Sequence, residues 1–346
     1  MRNIGALILS LGLLGLADMS AEAQVGAPFE VVATGVPRPL QLVFDGRALA
    51  VLSPGRQGNV AGEIYRVPIE GDAPLDLARQ PRVRIPFPDE RQATLGSLVL
   101  HPQTREVFLG EENGTRVYRL TDDGRLALYA TGLHRLGGGS TLAFDVLGRL
   151  VLVDHMDPSL SEDDERPPPG LEQFRDEDYR GPLIFRVATE AGIPLPRRLG
   201  RQVPLFPRAW GGREGGAMLP KFISVAPVGR DEMVLLSSGG AVYRLDGDRQ
   251  LSLYARLPRG QYTRTHMLTA PDGSIYISGG FHVGQIFRIS NDGVLTVVAS
   301  GLADPQGIAF DDRGNLYVAE SSFHRIVRLK LSVGGLAPAP AGPLRR

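Results

Sequence analysis

The chain has 346 residues, 42% of them hydrophobic, and its 38 basic and 38 acidic side chains give a net charge of zero. This composition excludes an intrinsically disordered chain and a broadly basic nucleic-acid-binding surface. The absence of cysteine excludes disulfides, thiolate metal sites and a cysteine nucleophile. The 43 glycines and 27 prolines indicate many short strands joined by tight turns.

The N-terminal residues have the pattern of a secretory signal peptide. Arg2 precedes an apolar run, Ile4–Leu16, that is too short to span a bilayer as a stable helix. Ala21-Glu22-Ala23 matches a cleavage site, which predicts that residues 1–23 are removed and that the mature protein starts near Gln24. We therefore expect an exported protein, periplasmic or extracellular, with no membrane span after cleavage and no nucleic-acid partner.

Short apolar strands then recur in six groups along the chain, and repeats of this length indicate a propeller or a solenoid. The groups are predicted at Leu40–Ile85, Leu95–Tyr129, Ser140–Pro204, Phe222–Ala255, Thr265–Ala299 and Gly307–Leu329. The last group has three strands, whereas the others have four. Phe29–Thr34, ahead of the first group, has the pattern of the missing fourth strand and would pair with the strand that ends at Leu329.

These groups predict an all-β fold, a six-bladed β-propeller of four-stranded blades over residues 24–332. The N-terminal strand would close the ring, which removes the exposed sheet edges. The fourth strand of the third blade is weak and is placed near Leu199–Pro204. Residues 333–346 are rich in proline and alanine and are predicted to form a disordered tail.

The last group carries a resemblance to a known repeat. Residues 302–329 resemble an NHL repeat, whose last strand opens with a sequence such as His324-Arg325-Ile326. The chain as a whole resembles the six-bladed senescence marker protein and gluconolactonase superfamily. The resemblance implies a small-molecule site over the central channel, on the face formed by the loops that follow the second strand of each blade.

Five residues on that face are candidate catalytic groups. Glu112, Asp154 and Glu320 lie at or just beyond the ends of second strands, where a carboxylate can bind Ca²⁺ or act as a general base. His155 and His266 can transfer protons or bind a metal ion near neutral pH. The structural alternative stays open for each carboxylate, because a carboxylate at this position often bonds to neighbouring backbone.

Six further residues are candidate ligand-binding groups: Arg208, Trp210, Lys221, Arg264, His282 and His324. Arg208 and Trp210 lie in an insertion, Phe206–Leu219, whose tryptophan suits an apolar or sugar-like ligand. A second insertion, Met156–Gly181, is acidic and poor in large apolar side chains, which predicts a mobile flap over the channel mouth.

Three functions remain open. The first is a lactonase-like hydrolase acting on a sugar- or lactone-like substrate, with a divalent ion such as Ca²⁺. The second is a non-catalytic NHL propeller that binds a small ligand or a protein. The third is a sugar dehydrogenase that uses pyrroloquinoline quinone (PQQ). Segments 31–37, 266–276 and 301–310 resemble sequences of that enzyme family. Arg208, Lys221 and Arg264 would then bind the carboxylates of the quinone.

Overall fold

The computed structural model describes residues 29–55, 60–71, 74–90, 92–154, 183–189, 192–199, 202, 205–206 and 222–331. These residues form strands and no helix, arranged in six sheets. The first strand of every sheet contacts the first strands of the sheets on either side, so the six inner strands form a complete ring. The predicted all-β, six-bladed propeller is confirmed.

The strands of the first three blades follow one another outwards from the channel. Blade one contains β2 (Gln41–Phe44), β3 (Ala48–Ser53), β4 (Gly62–Pro68) and β6 (Arg82–Ile85). Blade two contains β7 (Leu95–Leu100), β8 (Val107–Glu111), β9 (Val117–Leu120) and β10 (Leu126–Thr131). Blade three contains β11 (Leu142–Phe144), β12 (Leu150–Asp154) and β13 (Leu183–Val187).

The last three blades are more regular. Blade four contains β15 (Phe222–Pro227), β16 (Met233–Ser237), β17 (Ala241–Leu245) and β18 (Leu251–Arg256). Blade five contains β19 (Met267–Thr269), β20 (Ile275–Ser278), β21 (Gln285–Ile289) and β22 (Leu295–Ser300). Blade six contains β23 (Pro305–Phe310), β24 (Leu316–Glu320) and β25 (Arg325–Leu329).

The N-terminal strand β1 (Phe29–Thr34) lies in the sheet of blade six. It pairs antiparallel with β25, from Phe29 opposite Leu329 to Thr34 opposite Arg325. A short strand from the first blade, β5 (Leu75–Asp76), pairs with the other side of β1 in parallel. The two ends of the described chain therefore meet in one sheet.

Aspartates at tight turns explain why the first two strands of a blade form a hairpin. The Asp311 carboxylate accepts hydrogen bonds from the backbone N–H groups of Arg313 (3.0 Å) and Asn315 (2.8 Å). Asp145 does the same for Leu147 (3.0 Å) and Arg149 (2.9 Å). Such hydrogen bonds, from a side chain to backbone N–H groups two to four residues ahead, take the place of strand-to-strand hydrogen bonds and stabilise the turn.

The core lies between adjacent blades. For example, Leu42, Leu49 and Val51 of the first blade are buried against Tyr317 and Ile326 of the sixth. Full burial of such an aliphatic side chain stabilises the fold by about 1.5–3 kcal/mol. Each blade is therefore held by its neighbours, and the strand ends at the channel are fixed in position.

The predicted fourth strand of the third blade, near Leu199–Pro204, lies mostly outside the described residues, which include only Leu199 and Gln202 of this stretch. Arg197 and Arg198 form β14, which pairs in parallel with β10 of the second blade. Leu199 is buried in the cluster between the second and third blades, which holds this stretch against the second blade. In the third blade, Phe206 makes an isolated bridge with Ile184 where a fourth strand would begin.

The predicted signal peptide, C-terminal tail and acidic insertion lie outside the described residues. Within the described ranges, no helix is long and apolar enough to cross a membrane.

Candidate functional site

The channel has two ends with different chemistry. We call the end with the tight turns at Asp45, Asp145 and Asp311 the turn end. We call the opposite end, where the loops after the second strands lie, the loop end. Each second strand runs towards the loop end and finishes on a buried polar residue: Ser53, Glu111, Asp154, Ser237, Ser278 and Glu320.

Asp154 is fully buried and stabilises the loop that enters its own blade. Its carboxylate accepts the backbone N–H groups of His134 (3.0 Å) and Arg135 (2.8 Å), and the His134 ring Nδ1 lies 3.0 Å from Oδ2. A carboxylate that bonds two backbone donors and a ring nitrogen has little capacity left for a ligand. We therefore leave Asp154 out of the site.

Glu320 has the same structural character. It is fully buried, one oxygen accepts the Ala303 N–H (2.8 Å), and the other accepts the Arg325 guanidinium. In the second blade Glu111 is the corresponding residue, and it bonds Thr115 N–H (2.9 Å) and the Tyr118 hydroxyl (2.6 Å). The contacts of Asp154 and Glu320 therefore support the structural alternative, in which a carboxylate at the end of a second strand bonds to neighbouring backbone.

Glu112 differs from these carboxylates because it extends into the channel mouth. Its Oε1 accepts hydrogen bonds from Arg264 Nε (2.7 Å) and lies 2.7 Å from Arg264 Nη2. The two residues come from the second and fifth blades, which face each other across the channel. The Glu112 side chain is 12% exposed and that of Arg264 is 37% exposed. The pair therefore spans the loop end while remaining in contact with solvent.

A glycine segment crosses the channel beneath this ion pair. We call residues 137–140 the crossing segment. Gly139 N–H bonds Gly96 O in the second blade (3.3 Å), and Ser140 N–H bonds Thr265 O in the fifth (2.9 Å). A Cβ atom on Gly138 would lie 2.9 Å from Glu112 Oε1, and one on Gly139 would lie 2.3 Å from Thr265 O. At Gly139 only glycine permits this approach, because the added Cβ would meet backbone, so the segment joins the second and fifth blades across the channel.

Arg264 is also held in an uncommon backbone conformation, with φ of +53°. Non-glycine residues with positive φ persist where surrounding contacts impose them, and they cluster at functional sites. Within the described ranges, Arg264 contacts Glu112 through Nε and Nη2 on the single oxygen Oε1. The contact thus leaves Glu112 Oε2 as an acceptor and Arg264 Nη1 as a donor for a ligand.

Other candidates lie on the exposed rim of the loop end. His324 Nδ1 accepts the Arg38 N–H (2.8 Å), and His282 stacks edge-on with Phe281 at 4.7 Å between ring centroids. Phe281 is 45% exposed and Phe323 is 58% exposed. These rings supply apolar surface near the mouth, but no contact joins them to Glu112 or Arg264.

His266 does not lie on the loop-end face, where the sequence placed it. It is 8% exposed and lines a cavity that opens at the turn end. Its Nδ1 accepts the backbone N–H of Ile308 (2.9 Å), and burial lowers its pKa to about 4. His266 immediately precedes the inner strand of the fifth blade, which starts at Met267, and its side chain faces the cavity.

His155, Arg208, Trp210 and Lys221 lie outside the described residues. Of the cluster predicted to bind PQQ, only Arg264 is described, and it is paired with Glu112. Within the described ranges, no three acidic or histidine side chains come together in a way that would hold a metal ion.

Sequence reasoning missed the crossing segment. Its signal is the run Leu136-Gly-Gly-Gly-Ser140 just ahead of an inner strand. Three successive glycines indicate a close backbone approach, but the approach is to the fifth blade, far along the chain.

Two buried amides, Gln41 Nε2 and Gln306 Nε2, also lack hydrogen-bond partners in the described part of the molecule.

Comparisons with known proteins agree with this fold. The NHL repeat family matches residues 302–329. The comparison with curated proteins gave no match. The resemblance to NHL-repeat and gluconolactonase-like six-bladed propellers is confirmed at the level of the repeat and the fold.

Three solved structures show how widely the fold is used. The chain is similar to a gluconolactonase from Xanthomonas campestris (15% identity, TM-score 0.54, covering 88% of this chain and 90% of that chain). It is similar to an inactive virginiamycin B lyase from Staphylococcus aureus with quinupristin (13% identity, TM-score 0.52, covering 89% of this chain and 87% of that chain). It is also similar to a PQQ-bound aldose sugar dehydrogenase from Streptomyces coelicolor (15%, 0.52, 88% and 98%). At these identities, the likeness shows the fold alone.

Proposed function

We propose that the protein is an exported propeller that binds a small hydroxyl-bearing molecule, of the sugar or lactone class, at the loop end of its channel. The observation that carries this proposal is the ion pair of Glu112 and Arg264 above the crossing segment. The second carboxylate oxygen can accept a hydrogen bond from a ligand hydroxyl, and the remaining guanidinium N–H groups can donate to a hydroxyl or carbonyl oxygen.

The position of the pair favours binding over a purely structural role. A structural ion pair at the surface contributes little to stability, with a typical value of about 0–1 kcal/mol. This pair instead lies at the mouth of a channel, where concave protein surface excludes water from a ligand. The exposed rings of Phe281 and Phe323 provide apolar surface on the same rim.

Lactonase-like hydrolysis is the second candidate. Glu112 is the one proposed catalytic carboxylate in the described ranges that reaches the channel mouth, since Asp154 and Glu320 are fully buried. In this reaction its Oε2 would accept a proton from the attacking water, and Arg264 would donate to the carbonyl oxygen. If the protein binds its ligand without turnover, the same two residues would act only as binding groups of a non-catalytic propeller.

The test is a calorimetric titration with 1,5-anhydro-D-glucitol, which has hydroxyls and no reactive centre, and a pH-stat assay with D-glucono-1,5-lactone. We expect saturable binding that Glu112→Gln weakens about 10- to 100-fold, because it removes a charge-assisted hydrogen bond. Arg264→Gln is expected to have a similar effect.

Glu70→Gln is the matched control, because Glu70 forms an exposed ion pair with Arg313 at the turn end. It is expected to bind the sugar like the wild type. Saturable binding that is equal in wild type and Glu112→Gln would overturn the site. Lactone turnover above the spontaneous rate, lost in Glu112→Gln, supports the hydrolase; binding without turnover supports the non-catalytic propeller.

The export part of the proposal rests on the N-terminal sequence pattern. Edman sequencing of protein recovered from the periplasm or medium is expected to start near Gln24. Full-length protein confined to the cytosol would contradict export without bearing on the binding site.

A further inference from the structure

The turn end of the channel contains a cavity that the proposed function does not use. Its volume is about 550 Å³, within the range of small-molecule sites. All six inner strands line it, so its shape is set by the whole ring. Its partly exposed side chains are mostly apolar and include Val43, Val99, Phe144, Leu268 and Phe310.

The inner end of this cavity is closed by polar groups. Ser140, the last residue of the crossing segment, and His266 lie there. Ser140 Oγ donates to Met267 O (3.1 Å) and is therefore engaged. His266 Nδ1 accepts the Ile308 N–H, so a neutral His266 ring carries its proton on Nε2. No described residue accepts that proton.

The outer end carries one positive charge. The Asp145 carboxylate binds Arg149 Nε (2.7 Å) and turn backbone, whereas Arg105 Nη2 donates to Phe44 O (2.9 Å), a neutral partner that leaves the guanidinium charged at the exposed rim. The inner strands are the edges of their sheets, so some of their backbone groups also face the channel. Beyond this rim, a ligand meets apolar side chains, neutral backbone dipoles and one imidazole N–H.

We propose that this cavity is a second binding site, separate from the loop end, for a neutral and mostly apolar molecule that carries one acceptor oxygen, such as a ketone. The acceptor oxygen bonds His266 Nε2–H, and the apolar body lies among the inner strands. The proposal is independent of the function at the loop end, because the crossing segment separates the two.

Benzophenone and diphenylmethane form a matched pair of probes, because they differ by a carbonyl in place of a methylene. We expect benzophenone to bind about 3- to 10-fold more tightly, the effect of one hydrogen bond. On irradiation the excited ketone oxygen abstracts a hydrogen atom from a C–H group that it touches, and the two carbon radicals combine, so that the C–H bond is replaced by an O–H bond and a C–C bond. The labelled peptides are expected to come from the inner strands β7, β11 and β23.

His266→Asn isolates the donor. The asparagine oxygen can replace Nδ1 as the acceptor for Ile308 N–H, but no donor remains at the Nε2 position. The variant is expected to bind both probes equally, at the affinity of diphenylmethane for the wild type. His101→Asn is the control: His101 is also buried, and its Nδ1 accepts backbone N–H groups, but it lies outside the cavity lining.

A second variant keeps the test independent of His266. Ala143 lines the cavity and is partly exposed to it, so Ala143→Phe fills that space and is expected to abolish binding of both probes. Three results would overturn the proposal: no saturable binding of either probe, labelling confined to the loop end, or an unchanged ketone preference in His266→Asn. Binding seen only after removal of residues 332–346 would also overturn it, since the protein's own C-terminal segment would then be the occupant.

Discussion

The two ends of the channel are built from the same six strands but present opposite chemistry. At the loop end, the ion pair of Glu112 and Arg264 lies over bare glycine backbone. At the turn end, partly exposed valine and phenylalanine side chains and the edges of the inner strands line a cavity with one neutral imidazole. The crossing segment between them allows each end to be specialised without affecting the other. The six inner strands form the wall of the channel, and one glycine-rich segment crosses the channel between its two ends.

The largest expected effect comes from adding a methyl group to the crossing segment. Gly139 has φ of +96°, and its added Cβ would lie 2.3 Å from Thr265 O. Gly139→Ala is expected to lower the free energy of unfolding by about 3 kcal/mol or more, from left-handed strain plus steric overlap. Urea denaturation followed by circular dichroism measures this change.

Gly46→Ala is the control for backbone strain alone. Its φ of +93° is similar, but no atom lies within 4 Å of the added Cβ. The expected loss is about 1–2 kcal/mol. Equal losses in the two variants would show that the crossing segment is loosely held and does not divide the channel.

The second effect is a pH dependence of stability from His266. Its pKa is about 4 in the folded protein because burial disfavours the charged ring, whereas the unfolded value is about 6.5. Between these values the unfolded state binds more protons, so stability is complete above pH 6.5 and falls as the pH decreases towards 4. The difference corresponds to about 3 kcal/mol at most.

Unfolding free energies at several pH values measure this effect as the difference between wild type and His266→Asn. Carboxylates outside the cavity contribute equally to both proteins and cancel. A difference that stays constant from pH 7 to pH 4 would mean that the imidazole is solvated, which contradicts a dry turn end.

A smaller effect separates the structural carboxylates from Glu112. Asp154→Asn places an NH₂ group against backbone N–H donors and is expected to cost about 2 kcal/mol of unfolding free energy. Glu112→Gln, at the channel mouth, is expected to change stability by about 0.5 kcal/mol or less. Thermal melts of the two variants decide the point, and a larger loss for Glu112→Gln would identify its ion pair as a structural contact.

The fold could be predicted because its determinants are local and repeated. The turn aspartates Asp145 and Asp311 recur at the same place in the hairpin, and the strand at Phe29–Thr34 has the pattern that the last blade lacks. In the outer part of the third blade, Leu199 is held by apolar contacts with the neighbouring blade, and most of the predicted fourth strand lies outside the described residues.

The site could be predicted only in part, because its geometry depends on single-residue register and on distant contacts. Glu111 and Glu112 are adjacent in the sequence, yet one is buried and the other reaches the mouth, because β8 ends at Glu111. His266 enters the channel for a similar reason. The contact of Gly138 with Glu112 and Arg264 joins three parts of the chain that no local pattern connects.

The most direct test of the divided channel is a crossed titration. 1,5-Anhydro-D-glucitol and benzophenone are titrated separately into Glu112→Gln and His266→Asn. The account predicts that Glu112→Gln weakens only the sugar analogue and that His266→Asn weakens only the ketone. If either substitution weakens both ligands, or if neither substitution affects its own ligand, the two ends are not the separate sites described here.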